Sequence, residues 1–429
     1  MTADPAEQDG WARLHPLTPL LRGGRFALVL LAVVGQQGLR DSPGRAAAVL
    51  LAVGVPAGAL AGWLSWRAMR YRVTPTELQV ESGVLFRRSR RVPLARVQAV
   101  DVVRPFYARV LGLAELRLEV VGAGDAEAPL AFLPDERAGA LRTQLLDLAA
   151  GRERAGDAPA PEPDRVLVVV PTGPLVWSTL LGAPLVSVVV LGPLLLGALA
   201  VGAEAAATVV VSAAPVLLGV GSLAVRRILS EYGFTVAESP DGLRLRHGLL
   251  DTRSQTIPPG RVQAIRIREP LLWRRFGWVR VEVDVAGYSG GGEDQAGGGA
   301  LLPVAPRELA DALVARVLGG PLPVADVAVP PAARWRAPLQ HRRLRIGLDD
   351  GHVVATSGVV TTTTDIAPRA KVQSLRTTQG PYERRLGLAT LHVDTAGRRL
   401  PGAVLAHRDA GEAATLLELL SRRMAPAAP

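Results

Sequence analysis

The sequence has no cysteine in 429 residues. Disulfides, thiolate nucleophiles and cysteine-ligated metal or iron–sulfur centres are therefore excluded, and the redox compartment is left open. Lysine is nearly absent as well: Lys371 is the only one, so almost all of the 49 basic side chains are arginine. Aromatic residues make up 4% against 48% hydrophobic residues in total, so the apolar content is alanine, valine and leucine. The histidines His15, His247, His341, His352, His392 and His407 form no HExxH or HxH spacing. No catalytic residue, metal site or cofactor is expected, and the chain is not read as an enzyme.

The formal net charge of +10 fits nucleic acid, anionic lipid or solubility alone. Wholesale replacement of lysine by arginine, as GC-rich coding produces, makes part of that basicity a coding habit. No recognition helix accompanies it, so nucleic acid is not an expected partner; nor is a small-molecule substrate, since no residues support hydrolase or transferase chemistry.

The hydrophobic residues are concentrated. Ala46–Trp66 carries no charged residue over 21 positions, enough to cross about 30 Å of hydrocarbon at about 1.5 Å per residue. Phe26–Val34 is apolar but short; with Gly35–Leu39 it completes a span, and Arg40–Arg45 would turn it into a hairpin. Val166–Ala203 is uncharged over 38 residues, and Ala205–Val225 adds another 21. Buried helices of soluble proteins rarely run so long and carry an amphipathic period, which is lacking here. Pro171, Pro174, Pro184 and Pro193 are better tolerated in membrane spans than in soluble helices. Helices over Pro174–Ala198 and Ala205–Val225, turning near Glu204, are expected. The opening MTADPAEQDG does not read as a cleavable signal peptide.

Arginines flank the spans: Arg13, Arg22 and Arg25 before the first, Arg67, Arg70 and Arg72 after the second, Arg165 before the third, Arg226 and Arg227 after the fourth. By the positive-inside rule both hairpins enter and leave on the cytoplasmic side. The expected location is the inner (cytoplasmic) membrane, multi-pass, with the soluble segments in the cytosol.

The remainder repeats itself. RVPLARVQAV (Arg91–Val100), TIPPGRVQAI (Thr256–Ile265) and DIAPRAKVQSL (Asp365–Leu375) are variants of one phrase. Gly83, Gly248 and Gly358, each followed by two hydrophobic residues, stand 15 positions before Gln98, Gln263 and Gln373. Pro105, Pro270 and Pro381 follow, then Leu111-Gly112-Leu113, Phe276-Gly277-Trp278 and Leu386-Gly387-Leu388. Such landmarks mark an internal repeat. TELQVESGVL, GLRLRHGLL and HVVATSGVV read as strands about a glycine turn, and AELRLEVVG, WVRVEVDVAG and LATLHVDTAG as later strands. Helical spacing closes each copy at Asp135–Ala150, Pro306–Leu318 and Asp409–Arg422.

The order of a two-span hairpin, Gly-hydrophobic-hydrophobic, basic-Val-Gln, an X-Pro loop, Leu-Gly-Leu and a final helix resembles the bacterial pleckstrin-homology-like family. The match is to its membrane-anchored, multi-copy members. The resemblance implies, in each copy, a bent antiparallel sheet of about seven strands closed by a helix, and no family-wide ligand. The expected fold is thus four transmembrane helices plus three PH-like sheets. The expected divisions are a tail at 1–25, hairpins at 26–66 and 166–225, and domains at 67–151, 226–320 and 336–424. Linkers lie at 152–165 and 321–335, with a tail at 425–429. The Gly-rich loop 290–299 lacks a P-loop's Lys-Ser/Thr and reads as a connection.

Basic residues recur in register. Arg96, Arg261 and Lys371 precede Val-Gln and are either solvated strand ends or contacts to an acidic side chain or headgroup. Arg109, Arg274 and Arg384, with Arg275 and Arg385, sit among Phe106, Tyr107, Trp273 and Tyr382. Aromatics mixed with arginine suit a membrane interface, although the rings could instead plug the barrel's open end. For Trp273-Arg274-Arg275 the interface reading is preferred, because three bulky neighbours cannot all face inward. Arg87, Arg88, Arg90 and Arg91 form a cluster that faces anionic lipid or protects a sheet edge. Gln98, Gln263 and Gln373 read as caps of backbone groups at the bend. The function expected is a membrane scaffold whose domains bind a protein partner, a second copy or anionic lipid headgroups. The alternative is an accessory component of a transport complex, which the lack of ionisable groups within the spans disfavours.

Overall fold

A chain that reverses direction within two or three residues needs backbone conformations that side chains resist, and two of the repeated glycines sit at such reversals, while Gly83 lies outside the described residues. Gly248 and Gly358 adopt φ of 108° and 92° between successive strands. A Cβ on Gly358 would lie 2.0 Å from the carbonyl oxygen of Thr361. Gly358→Ala is therefore expected to cost about 2 kcal/mol or more, since strained backbone and a backbone clash act together; chemical denaturation of the full chain in detergent measures it. Gly112, Gly277 and Gly387 share a second role, with φ of 67°, 63° and 66° after a short helical turn.

The computed structural model describes residues 11–13, 15, 60, 63–64, 66–82, 88–120, 128–149, 164–240, 242–286, 299–397, 400 and 402–422. They fall into two units, Met1–Pro161 with Leu250–Thr256, and Glu162–Leu249 with Ile257–Pro429.

In the first unit, β1 (Ala12–Arg13), β2 (Arg70–Val73), β3 (Glu77–Ser82) and β4 (Arg88–Pro93) form an antiparallel sheet in that order. Alternation puts Leu78 and Val92 inward while Arg91 stays exposed. A second sheet holds β5 (Val97–Arg104), β6 (Leu113–Val120) and β7 (Ala128–Pro134). Helix α1 (Phe106–Val110) links β5 to β6, and α2 (Asp135–Ala149) follows β7. Leu94, Leu116, Leu118, Leu133 and Leu145 form the core between the sheets and α2. β5 also pairs with β11 (Thr252–Ile257), a strand from further along the chain.

In the second unit, β8 (Arg165–Val169), β9 (Thr235–Ser239) and β10 (Gly242–His247) are antiparallel. Between β8 and β9 run α3 (Thr172–Leu180), α4 (Ala183–Val201) and α5 (Ala203–Glu231). The remaining strands are β12 (Val262–Pro270), β13 (Trp278–Val285), β14 (Ala300–Pro306), β15 (Val327–Ala328), β16 (Arg345–Leu348), β17 (His352–Ser357) and β18 (Thr361–Pro368), then β19 (Val372–Thr378), β20 (Leu388–Thr395) and β21 (Ala403–Asp409). They form a seven-stranded sheet in the order β14-β13-β12-β18-β17-β16-β15 and a three-stranded sheet β19-β20-β21. Helices α6 (Arg307–Leu318), α7 (Ala333–Arg336), α8 (Pro381–Arg385) and α9 (Ala410–Ser421) complete it. Asp409 caps α9 by accepting from the Gly411 and Glu412 amides, the role its position at the helix start implies.

Among the described residues seven strands and a closing helix thus recur three times, and the closing helices lie within one or two residues of expectation. The domain divisions move in one respect. The first strand of the second and third repeats precedes its expected boundary: β8 opens the apolar run that the sequence assigned to a span, and β15 lies within the expected linker. The apolar helices are an insertion between a repeat's first and second strands. In the first repeat β1 and β2 pair in the same way, across residues 14–69. The expected first hairpin lies largely outside the described residues. Leu60, Trp63, Leu64, Trp66 and Arg67 are helical, with the Arg67 guanidinium 5.5 Å from the Trp63 ring centroid.

Candidate functional site

Among the described residues two helical segments are long and apolar enough to cross a membrane, Thr172–Val201 and Ala203–Glu231, not the four expected of the whole chain. They turn at Gly202, two residues before the expected position. A soluble core helix buries most of its apolar side chains; here 6% of each hydrophobic window is buried, and Val188, Val189, Val190, Leu196 and Leu218 are exposed. That exposure is unfavourable in water and natural in hydrocarbon. The base is different. Leu175, Ser178 and Thr179 of α3 are buried. Glu231 ends α5 with its carboxylate 2.7 Å from Arg280 of β13 and 3.1 Å from Arg227.

The aromatic–arginine loops fold as short helical turns. Around the turn Trp273–Phe276, successive side chains diverge, so three bulky neighbours need not share one fate. Trp273 is 3% exposed and its Nε1–H donates to the Ser178 carbonyl at 3.1 Å, against the expectation of a ring at headgroup level. Arg274 donates to the Val359 carbonyl at 2.9 Å and to Thr362 Oγ1 at 2.5 Å. Arg275 and Phe276 are exposed, the ring stacked on Trp278. In the first repeat Arg109 donates to Thr252 Oγ1 at 3.0 Å, and the Phe106 amide donates to Asp251 Oδ1 at 3.3 Å. Tyr107 meets Phe132 edge-on at 6.1 Å. Arg384 and Arg385 in α8 are exposed, as is Tyr382.

Thr252 and Thr362 are counterparts, since each lies four residues beyond its repeat's Gly248 or Gly358. Arg109 and Arg274 therefore make the same contact in two places. The strands beneath agree in register: Thr252↔Arg104, Arg253↔Val103 and Ser254↔Val102 for β11 on β5, and Thr362↔Glu269, Thr363↔Arg268 and Thr364↔Ile267 for β18 on β12. Each later pair is the earlier one moved on by a whole repeat. One position along, Arg266 Nε donates to Asp365 Oδ1 at 2.5 Å. Burial pushes the Asp365 carboxyl up, against the pull of Arg266. Sequence reasoning missed Thr252, Thr362 and Asp365. The recurrence of a hydroxyl at one repeat position was the available signal.

The other basic positions scatter. Arg96 is exposed, Arg261 and Lys371 are half-buried, and Arg91 is exposed on β4 beside half-buried Arg90. Arg88 contributes backbone pairing with Ser82, and Arg87 lies outside the described residues. Gln263 is buried and its amide donates to the Arg261 carbonyl at 3.2 Å, the backbone-capping role expected; Gln373 is exposed. The third repeat's histidines His407 and His392 have different partners. His407 Nδ1 lies 2.8 Å from Glu383 Oε1, and His392 Nε2 3.1 Å from Thr378 Oγ1. Burial alone would raise the Glu383 carboxyl, but the Gly380 amide and His407 together hold it below its ordinary value.

The Bacterial PH domain family matches residues 26–149, 178–321 and 314–424, the three repeats found in the fold. The chain belongs to the bacterial PH domain family. Among curated proteins it is similar to the UPF0699 transmembrane protein YdbT of Bacillus subtilis (strain 168), 23% identical over 274 residues. The alignment covers 57% of this chain and 54% of that protein, so the chain spans about half the length of its curated relative. No solved structure matches.

Proposed function

We propose that the chain is a non-enzymatic scaffold of the inner (cytoplasmic) membrane, multi-pass, whose PH-like repeats lie in the cytosol and bind a protein partner. One observation carries the preference for protein over headgroup. The recurrent arginines Arg109 and Arg274 are engaged by threonine hydroxyls at the ends of neighbouring strands, where a phosphate site would leave them free. Arg275, Arg384 and Arg385 are exposed in these loops and remain open to anionic headgroups. A curated relative named a transmembrane protein and the exposed apolar helices support membrane residence.

Fractionation tests this. The full chain is expected to pellet with membranes, resist an alkaline wash and dissolve in detergent. Because the chain has no cysteine, Thr377→Cys can report sidedness. It should react with an impermeant maleimide in inverted vesicles and stay unlabelled in intact spheroplasts. Recovery in the soluble fraction without detergent, or labelling from outside, overturns the reading.

A further inference from the structure

An antiparallel sheet ends in a strand whose outward amide and carbonyl groups are unpaired, and such an edge is a template for another strand. β5 and β12, each the first strand of its repeat's second sheet, are both covered by a fourth strand, β11 or β18, in one register. The third member of the series is β19. Its sheet is β19-β20-β21, and among the described residues β19 pairs with β20 alone. Gln373, Ser374, Arg376, Thr377 and Thr378 along it are exposed, whereas its counterpart β12 buries Val262, Gln263, Ala264, Ile265 and Ile267. Arg384, counterpart of the clasping Arg109 and Arg274, is exposed beside it.

The register defines what would fit. Arg376 is the counterpart of Arg266, which faces Asp365 across the β12–β18 pair. Arg376 itself lies 3.7 Å from Asp394 of its own sheet, its sole ion pair among the described residues, with the side chain 61% exposed. A strand added in the same register would place one side chain opposite Arg376 and a hydroxyl near Arg384. A second copy of this chain suits the site poorly. Its corresponding strand, β4, would set Arg90 against Arg376, and Arg87 occupies the sequence position of Thr252 and Thr362. Like charges directly opposed across strands are destabilising.

We propose that β19 is an acceptor edge for the fourth strand of a PH-like domain on a different protein, one that presents a carboxylate opposite Arg376 and a hydroxyl to Arg384. The proposal rests on the scaffold reading only in taking the partner to be a protein, and it is tested apart from membrane residence.

The test uses full chains in detergent, with the Arg90→Asp chain as probe for the acidic strand. One preparation carries Thr377→Cys. The other carries Ser89→Cys, the residue that the common register sets opposite Thr377. Mild oxidation reads their pairing as a disulfide. Wild-type charges should give background crosslinking, and Arg90→Asp in the Ser89→Cys chain should raise it about tenfold as a like pair becomes an opposite one. Arg376→Asp in the Thr377→Cys chain, with Arg90 unchanged, should do the same and guards against misfolding of either variant. Both reversals together should return the yield to background. Equal crosslinking with wild-type charges would make a second copy the occupant and overturn the proposal. Background yield in every combination would also overturn it, because the edge would then accept no strand.

Discussion

Glu231→Gln is expected to destabilise the second unit by about 3 to 5 kcal/mol, the range for breaking a buried ion pair from one side. Glu231 has no exposed surface, and its carboxylate lies between Arg280 at 2.7 Å and Arg227 at 3.1 Å. Glutamine keeps the volume and one acceptor, so the variable removed is the charge. Arg280, whose side chain is 17% exposed, would retain Glu282 at 3.2 Å, while Arg227 would keep only weaker contacts, among them the Pro303 carbonyl at 3.5 Å. Two guanidinium groups would then share less negative charge in a site poorly reached by water. Thermal unfolding of the purified chain in detergent measures the loss. Replacing both Glu231 and Arg227 by methionine should recover most of it, because the guanidinium left with only weak contacts is removed together with its partner, while Arg280 keeps Glu282. An unchanged midpoint in Glu231→Gln would mean that the carboxylate contributes nothing to fastening α5 to β13.

Much of the fold is legible because the chain prints one module three times and so aligns with itself. Glycines at fixed offsets mark backbone reversals that only they adopt without strain, and Gly248, Gly358, Gly112, Gly277 and Gly387 all have positive φ. The closing helices are legible from periodicity and an acidic or proline start. What is not legible lies where two structures share a composition. RVLVV at Arg165–Val169 is a strand, but it opens an uncharged run that continues into α3 and α4, and a short apolar strand cannot be told from a helix segment by period alone. The insertion of the spans within a repeat is hidden for the same reason. The arginine clasps are hidden for another: contacts between residues 143 apart in one case and 88 in the other leave no trace in local pattern. Only comparing the repeats with one another, hydroxyl for hydroxyl, would have linked Arg109 to Thr252 and Arg274 to Thr362.

Trp273→Ala should cost about 3 to 5 kcal/mol, as removal of a large buried aromatic does. The ring is 3% exposed, and its indole N–H holds the Ser178 carbonyl in the last turn of α3. Ser178 and Thr179 turn their own hydroxyls back to the Leu175 carbonyl, so Trp273 supplies the bond that reaches across to this turn from the loop after β12. The Arg227 guanidinium lies 5.6 Å from the ring centroid, which brings α5 to the same point. Both ends of the apolar hairpin therefore meet at one indole. Trp273→Phe should keep most of the packing and lose about 1 kcal/mol with the hydrogen bond. A ring seated among headgroups predicts the opposite pattern, with vesicle affinity falling while the unfolding midpoint stays put. If Trp273→Ala left the midpoint unchanged and weakened binding to anionic vesicles, the buried anchor would be refuted. The expected result is a lowered midpoint and faster proteolysis between β8 and α4, because α3 would lose the contact that fixes where the hairpin leaves the sheet.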